Sequence, residues 1–443
     1  MKKSKIPTSP VARIAKLVKT TGMIVGAEFG NRILESFQRI PAPDRFKQHA
    51  AYAFEIAQTL GQLKGAALKA GQMLTLELSD FLPKEIVQIL SSMNDSTSFM
   101  KIDEVKRILK KELGPTKLKL LEKLTDVPIA SASIGQVHKA EYQGVDVAIK
   151  IQYPAVAATI DSDLSSLKKL FDFSLKMTNK KISLKGFFAE VRANLKREVD
   201  YSYELSSLID YKNLLAEHPQ FVVPATFPEL STKKVLTMGF ESGVRIRDYM
   251  NSTNLDPLLI SHLLLTLVQL EFFEIGLVQT DPNPGNFLIR PEKCQLVLLD
   301  LGSTKKFPPE FRKNIISLLR LSMEGDHAKI TDYALSLGLL DPRESPQVVE
   351  LFVILMKSIV SMYKPENQPF DFSGEAYLNN IRLQSINFVK LVRYTSPAKE
   401  LIFLNRKLGG VFHILKDAKA KINLLPYWKQ VLELEDKLVP KRT

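Results

Sequence analysis

The segment Asp281-Pro282-Asn283-Pro284-Gly285-Asn286 is followed by Leu296-Val297-Leu298-Leu299-Asp300-Leu301-Gly302. An Asp, an Asn five positions later and an Asp-x-Gly closing an apolar strand carry three oxygen-bearing side chains in a recognisable order. ATP-dependent phosphoryl transfer uses that order: the first Asp lies beside the phosphoryl acceptor, and the Asn and second Asp hold divalent metal against the phosphates. Mg²⁺ suits such a set because it is small and takes near-octahedral oxygen coordination. On its own, the same spelling also fits a proline-rich turn before an ordinary hairpin, with its carboxylates merely solvated.

Upstream, Val147-Ala148-Ile149-Lys150 is a strand whose Lys matches the one that reaches the α- and β-phosphates. Before it, the segment with Ala130, Ser131, Ala132 and Ser133 occupies the place of a phosphate-covering loop, but with Ala and Ser where Gly is usual. Gly lets backbone amides approach phosphate closely and reach positive φ, so this version is expected to be stiffer and to hold nucleotide in a different pose. A kinase-type site also needs one helical Glu to pair with the strand Lys. Glu198, in a helical stretch beginning near Leu184, is the expected partner. Asp200 then faces elsewhere, because positions i and i+2 do not share a helix face. Taken alone, Glu198-x-Asp200 reads equally as a solvated acidic face beside Lys196 and Arg197.

Lys69-Ala70-Gly71-Gln72 spells KxGQ, and Glu198-x-Asp200 is the matching ExD. With the Ala-rich loop, Lys150, Asp281, Asn286 and Asp300, the set resembles the UbiB/ADCK (ABC-one) atypical kinase-like family, from roughly residue 10 to residue 420. The Gln279-Thr280-Asp281 form is similar to the coenzyme-Q-supporting branch. Two positions depart from the family: Leu301 replaces the usual Phe, and Gly239 follows Met238 where an acidic residue is commoner. Met238 is the expected contact on the adenine side. The resemblance implies an α+β, bilobal, protein-kinase-like fold with an N-terminal helical extension. In it, Lys69 and Gln72 form a lid over the site, near Asp200, where a peptide substrate would otherwise bind. It implies catalytic roles for Asp281, Lys150 and Glu198, metal ligation by Asn286 and Asp300, and ATP with Mg²⁺ as cofactors. It further implies ATP hydrolysis in support of isoprenoid-quinone synthesis, with a quinone precursor or other lipid, and quinone-biosynthesis enzymes, as partners. A small-molecule or lipid kinase is an alternative with the same site. A pseudokinase scaffold is another, against which the complete residue set weighs.

The chain of 443 residues carries a net charge of +13 and one cysteine, Cys294, which excludes a disulfide framework. Its six histidines lack ligand spacing, and His138 is read as structural. No Walker-A sequence occurs, which disfavours a P-loop NTPase. No nucleic-acid motif accompanies the basic charge, so an anionic membrane surface is the expected acidic partner. Lys2, Lys3, Lys5, Arg13, Lys16 and Lys19 all precede the first acidic residue, Glu28. This basic start is a transit peptide in one reading. It is preferred here as the family's own N-terminal segment, which favours a bacterial protein in the cytoplasm, peripheral at the inner membrane, or at the mitochondrial matrix face if eukaryotic. Gly22, Gly26 and Gly30 form a smooth helical stripe suited to a homodimer contact or to internal packing.

Laid over the apolar patterning, the resemblance implies three regions: a helical extension over 1–122, a kinase-like N-lobe over 123–243 and a mainly helical, kinase-like C-lobe over 244–443. In the N-lobe, strands are expected over 135–142, 145–152, 221–227 and 234–240, with helices over 157–177 and 184–215. Residues 255–276 are apolar enough to suggest a membrane span, but Glu271 and Glu274 argue for a buried helix. Past Asp300 there is no Ala-Pro-Glu, and Phe307-Pro308-Pro309 leads directly into helix, so the usual platform for a peptide substrate is missing. No C-terminal hydrophobic hairpin is expected.

Overall fold

A computed structural model describes residues 99–132, 134–154, 156–177, 185–395 and 399–438. Lys69, Gln72, Ser133 and the glycine stripe at Gly22, Gly26 and Gly30 lie outside the described residues. The chain forms two compact units: Thr226–Phe240 join the residues up to Leu205 in the first, and Ser206–Ala225 join Glu241–Thr443 in the second.

The first unit is built on an antiparallel sheet. Its strands are β1 (Leu121–Glu122), β2 (Ala130–Ala132), β3 (Gly135–Tyr142) and β4 (Val145–Gln152). Gln143 and Gly144 both take positive φ, 51° and 76°, the combination that a two-residue hairpin turn with the correct twist needs. The chain next passes through β5 (Phe221–Val222), which belongs to the second unit, and returns as β6 (Val235–Gly239) on the far side of β4. With β3 and β6 on its two edges, β4 is central, and every residue from Val147 to Gln152 is buried. The helix Ile102–Lys119 covers this sheet. Val105, Leu109 and Leu113 recur every four residues along it and join Val147, Ile149, Ile151, Leu230 and Val235 in one core. Each such fully buried side chain contributes about 1.5–3 kcal/mol relative to exposure. Gly114, at φ 82° and followed by Pro115, kinks the helix just past that stripe.

Two sequence expectations need correction. The strand expected over 221–227 is only Phe221–Val222, and it pairs in parallel with a strand of the second unit. Pro224 has no N–H to continue a ladder, and in the first unit Thr226 makes an isolated bridge to Met238. The continuous helix expected over 184–215 is two helices, Lys185–Glu198 and Tyr201–Leu214. Asp200 separates them: its Oδ1 accepts the Ser202 N–H at 3.1 Å, an N-terminal cap that competes with continued helix.

In the second unit a four-stranded sheet runs in the order β5, β10 (Gln295–Leu298), β9 (Phe287–Arg290), β7 (Val244–Arg245). Beside it β8 (Leu277–Gln279) pairs with β11 (Thr304–Lys306). A short ladder of β12 (Phe370–Asp371) with β13 (Lys421–Ile422) lies further along the chain. Helices make up most of the rest. Pro257–Val268 continues into a π-helical turn, Gln269–Ile275, which Gly276 ends at φ 79°. Pro257–Ile275 is long and apolar enough to cross a membrane by composition, yet more than half of it is buried inside the protein, as expected for a core helix. Phe307 is buried and Pro309 opens the helix Pro309–Glu324, so the short path beyond Asp300 is present.

Candidate active site

Lys150 lies in the stretch of β4 that is buried on both faces, so its ammonium needs a counter-charge inside the protein. That counter-charge is Glu204. Lys150 Nζ donates to Glu204 Oε1 and Oε2, both at 2.9 Å, and the two side chains are only 8% and 5% exposed. The same Nζ lies 5.4 Å from the centre of the Tyr201 ring, a cation–π contact one turn earlier on the Glu204 helix. Lys150 thus has a carboxylate partner at Glu204, the next glutamate after Glu198 in the chain. Glu198 ends its own helix before the chain breaks, whereas Glu204 sits on the first turn of the following helix. Asp200 caps that helix and lies 3.5 Å from Lys233.

The Ala-rich segment is strand rather than open loop. Ala130, Ser131 and Ala132 pair with Val137, Gln136 and Gly135 in register. At Gly135 a Cβ would fall 2.3 Å from the Ile151 carbonyl oxygen, so only glycine permits this close approach to β4. Met238 is buried opposite Ala148 in the β4–β6 ladder. His138 is buried too. Its Nδ1–H donates to the Thr125 carbonyl at 2.7 Å, which leaves Nε2 to accept from Gln136 Nε2 at 2.8 Å. Burial pushes its pKa below the ordinary imidazole value.

In the second unit two strand pairs set Asp281, Asn286 and Asp300 side by side. β8 leads into Asp281 and β9 leads away from Asn286, while β10 leads into Asp300 and β11 returns to β8. Leu298 stands opposite Phe287, and the Leu299 N–H donates to the Asn286 carbonyl at 2.9 Å, so Asn286 and Asp300 emerge from neighbouring strand ends. The Thr280 N–H donates to the Ser303 carbonyl at 2.8 Å and closes the other side. Asn286 Nδ2 donates to the Asp281 carbonyl at 2.8 Å. Asp300 Oδ1 accepts the Gly302 N–H at 3.0 Å. Gln279 Nε2 reaches the Asp281 carbonyl at 2.5 Å and the Asp300 carbonyl at 3.5 Å, so one amide bridges the segments bearing the two Asp residues. No group of three or more His, Cys, Asp or Glu side chains forms a metal site among the described residues. The oxygen donors present, Asn286 and Asp300, suit Mg²⁺ instead, which takes one or two carboxylates and completes its shell with phosphate and water.

Beneath the loop is a fully buried charge cluster. Glu271, in the π-helical turn, lies 2.6 Å from Lys407 Nζ and accepts from the Tyr211 hydroxyl at 2.9 Å and the Gln279 N–H at 3.3 Å. Burial pushes the Glu271 carboxyl upward, opposed by the Lys407 charge, and pushes the Tyr211 hydroxyl well up. Arg406, adjacent in sequence to Lys407, places Nη2 3.4 Å from Asp281 Oδ1.

The profile of the ABC1 atypical kinase-like domain matches residues 92–334. The chain belongs to the ABC1 atypical kinase-like family. It is 30% identical over 436 residues to the atypical kinase COQ8, mitochondrial, of Saccharomyces cerevisiae, covering 97% of this chain and 86% of that one. It is 32% identical over 421 residues to the atypical kinase COQ8B, mitochondrial, of Rattus norvegicus, covering 91% and 77%. A solved structure, the complex of Rv3197 with erythromycin from Mycobacterium tuberculosis, shares the fold with a TM-score of 0.59 at 24% identity, over 89% of this chain and 96% of that one.

The ABC1 match spans Lys150, Glu204, Asp281, Asn286 and Asp300 and ends before Arg406 and Lys407. Sequence reasoning missed Glu204, Arg406 and Lys407. For Glu204 a signal was available, since Asp200 followed by Tyr201-Ser202 reads as the cap of a new helix. Arg406 reaches Asp281 across 125 positions, and no local spacing announces such a contact.

Proposed function

We propose that this ABC1-family protein binds Mg-ATP and hydrolyses it at a membrane surface in support of ubiquinone or related isoprenoid-quinone synthesis, acting on lipid or quinone-precursor chemistry rather than on proteins. The observation that carries the reading is the joined Asp281–Asn286–Asp300 arrangement, in which the Asn286 amide fixes the loop bearing Asp281. Bound Mg²⁺ supplies charge neutralisation across the β- and γ-phosphate oxygens. Asn286 and Asp300 would hold that metal through their oxygens. Lys150, fixed by Glu204, would serve the α- and β-phosphates, next to Ala130, Ser131, Ala132 and Ser133 as the phosphate-covering strand and Met238 on the adenine side. Asp281 would orient the acceptor. Asp200 would belong to the lid with Lys69 and Gln72, and Glu198 to the catalytic set.

The short path from Asp300 to the helix at Pro309 supports the exclusion of peptide substrates, because it holds no activation segment. The COQ8 relatives, named mitochondrial atypical kinases, support the quinone assignment and give weight to the matrix-face alternative over a bacterial inner membrane. The basic N-terminal segment supports an anionic membrane surface as partner. Phosphate release from ATP, measured with Mg²⁺, with and without anionic liposomes and phenolic compounds, tests the reading. Hydrolysis stimulated by liposomes or phenols is the expected result. Stoichiometric transfer to the phenol would make it a small-molecule kinase, and nucleotide binding without turnover would make it a scaffold.

A further inference from the structure

The helix Lys399–Asp417 touches the catalytic loop at successive turns. Arg406 Nη2 lies 3.4 Å from Asp281 Oδ1, with the two side chains 12% and 17% exposed. One turn later, a Cβ on Gly410 would fall 2.1 Å from Pro282 Cγ, so the helix backbone rests directly on the residue after Asp281. Lys407, between them, is locked to Glu271 in the buried cluster. The stretch Gln279–Asn286 contains no Lys or Arg of its own. A cation beside Asp281 is thus imported from a helix late in the chain, on a scaffold that fixes its height and rotation.

We propose that Arg406 is a positioning residue for phosphoryl transfer, holding the Asp281 carboxylate in the orientation that meets the acceptor, and that Gly410 sets the loop against which it works. This rests on the phosphoryl-transfer reading above. A carboxylate on a proline-rich loop has rotational freedom that the loop backbone does not remove. Misplacing a reacting group by about 1 Å costs on the order of 100-fold in rate, so a fixed guanidinium contact has kinetic weight beyond its stability. A bond of 3.4 Å is a charge contact rather than a short hydrogen bond, which suits steering more than clamping.

The test compares Arg406→Gln, Arg406→Lys and Gly410→Ala with wild type, using Arg343→Gln as the control for loss of an exposed arginine. The readouts are kcat and KM for Mg-ATP hydrolysis and the thermal shift caused by Mg-ATP. Arg406→Gln is expected to lower kcat about tenfold or more while KM and the nucleotide-induced shift stay within about twofold. Arg406→Lys recovers part of kcat, and Gly410→Ala lowers kcat in the same sense. Unchanged kcat in Arg406→Gln overturns the inference, as does a loss shared equally by kcat, nucleotide shift and melting temperature, which is the mark of a structural role. If Arg406→Gln does not fold, Arg406→Lys and Gly410→Ala decide by the same criteria. Wild type without Mg-dependent hydrolysis would instead overturn the functional reading, and this inference with it.

Discussion

Lys150 and Glu204 share a two-pronged contact, 2.9 Å to each carboxylate oxygen, with both side chains almost wholly out of water. The strand partner is on the helix after the Glu198-x-Asp200 motif, and Asp200 makes the break between the two helices. Glu204 stands six residues beyond Glu198, on the helix that Asp200 opens.

Glu204→Gln should separate them. Removing one partner of a buried ion pair leaves an uncompensated charge and costs about 3–5 kcal/mol. Urea unfolding should show a loss of that size, together with a larger fall in Mg-ATP turnover than Glu198→Gln gives. Turnover lost more completely in Glu198→Gln would return the pairing role to Glu198.

His138 predicts a pH dependence. Burial holds its folded pKa below the ordinary 6.5, so the unfolded chain binds the proton more readily. Its contribution to stability is complete above about 6.5 and is lost as pH falls through the folded value. Denaturant unfolding between about pH 7 and about pH 5 should show a decline that is shallower in His138→Gln. Identical slopes in the two proteins would remove His138 as the source.

Membrane association is expected to depend on the basic start of the chain, which lies outside the described residues. Deleting residues 1–38 removes Lys2, Lys3, Lys5, Arg13, Lys16 and Lys19. Co-sedimentation with anionic vesicles should weaken on that deletion and, for the intact protein, on raising salt, because screening acts on exposed charge. Binding indifferent to both would contradict an electrostatic surface contact.

What was legible in the sequence was what local rules determine. β3 and β4 match their expected bounds because apolar periodicity and the Gln143-Gly144 turn fix them. Asp281, Asn286 and Asp300 could be placed together because they sit at the ends of adjacent strands joined by short connections. Pro224 cut short a strand that apolar content had extended, and the Asp200 cap divided a helix that periodicity had run together. Glu204 was hidden behind a nearer, more familiar Glu. Arg406, Lys407 and Gly410 depend on a packing between distant segments, for which one sequence offers no spacing to read.

The Mg-ATP site is tested most directly by the thermal shift that Mg-ATP induces in wild type and in Asp300→Asn. Asp300 emerges beside Asn286 with Oδ1 held by the Gly302 N–H, and in the proposed function its charge is what metal-assisted phosphate binding would depend on. Wild type should be stabilised by Mg-ATP. Asp300→Asn should melt at close to the wild-type temperature without nucleotide and lose the Mg-dependent shift. Equal stabilisation of both proteins by Mg-ATP would contradict the assignment of Asp300 as the metal-holding residue.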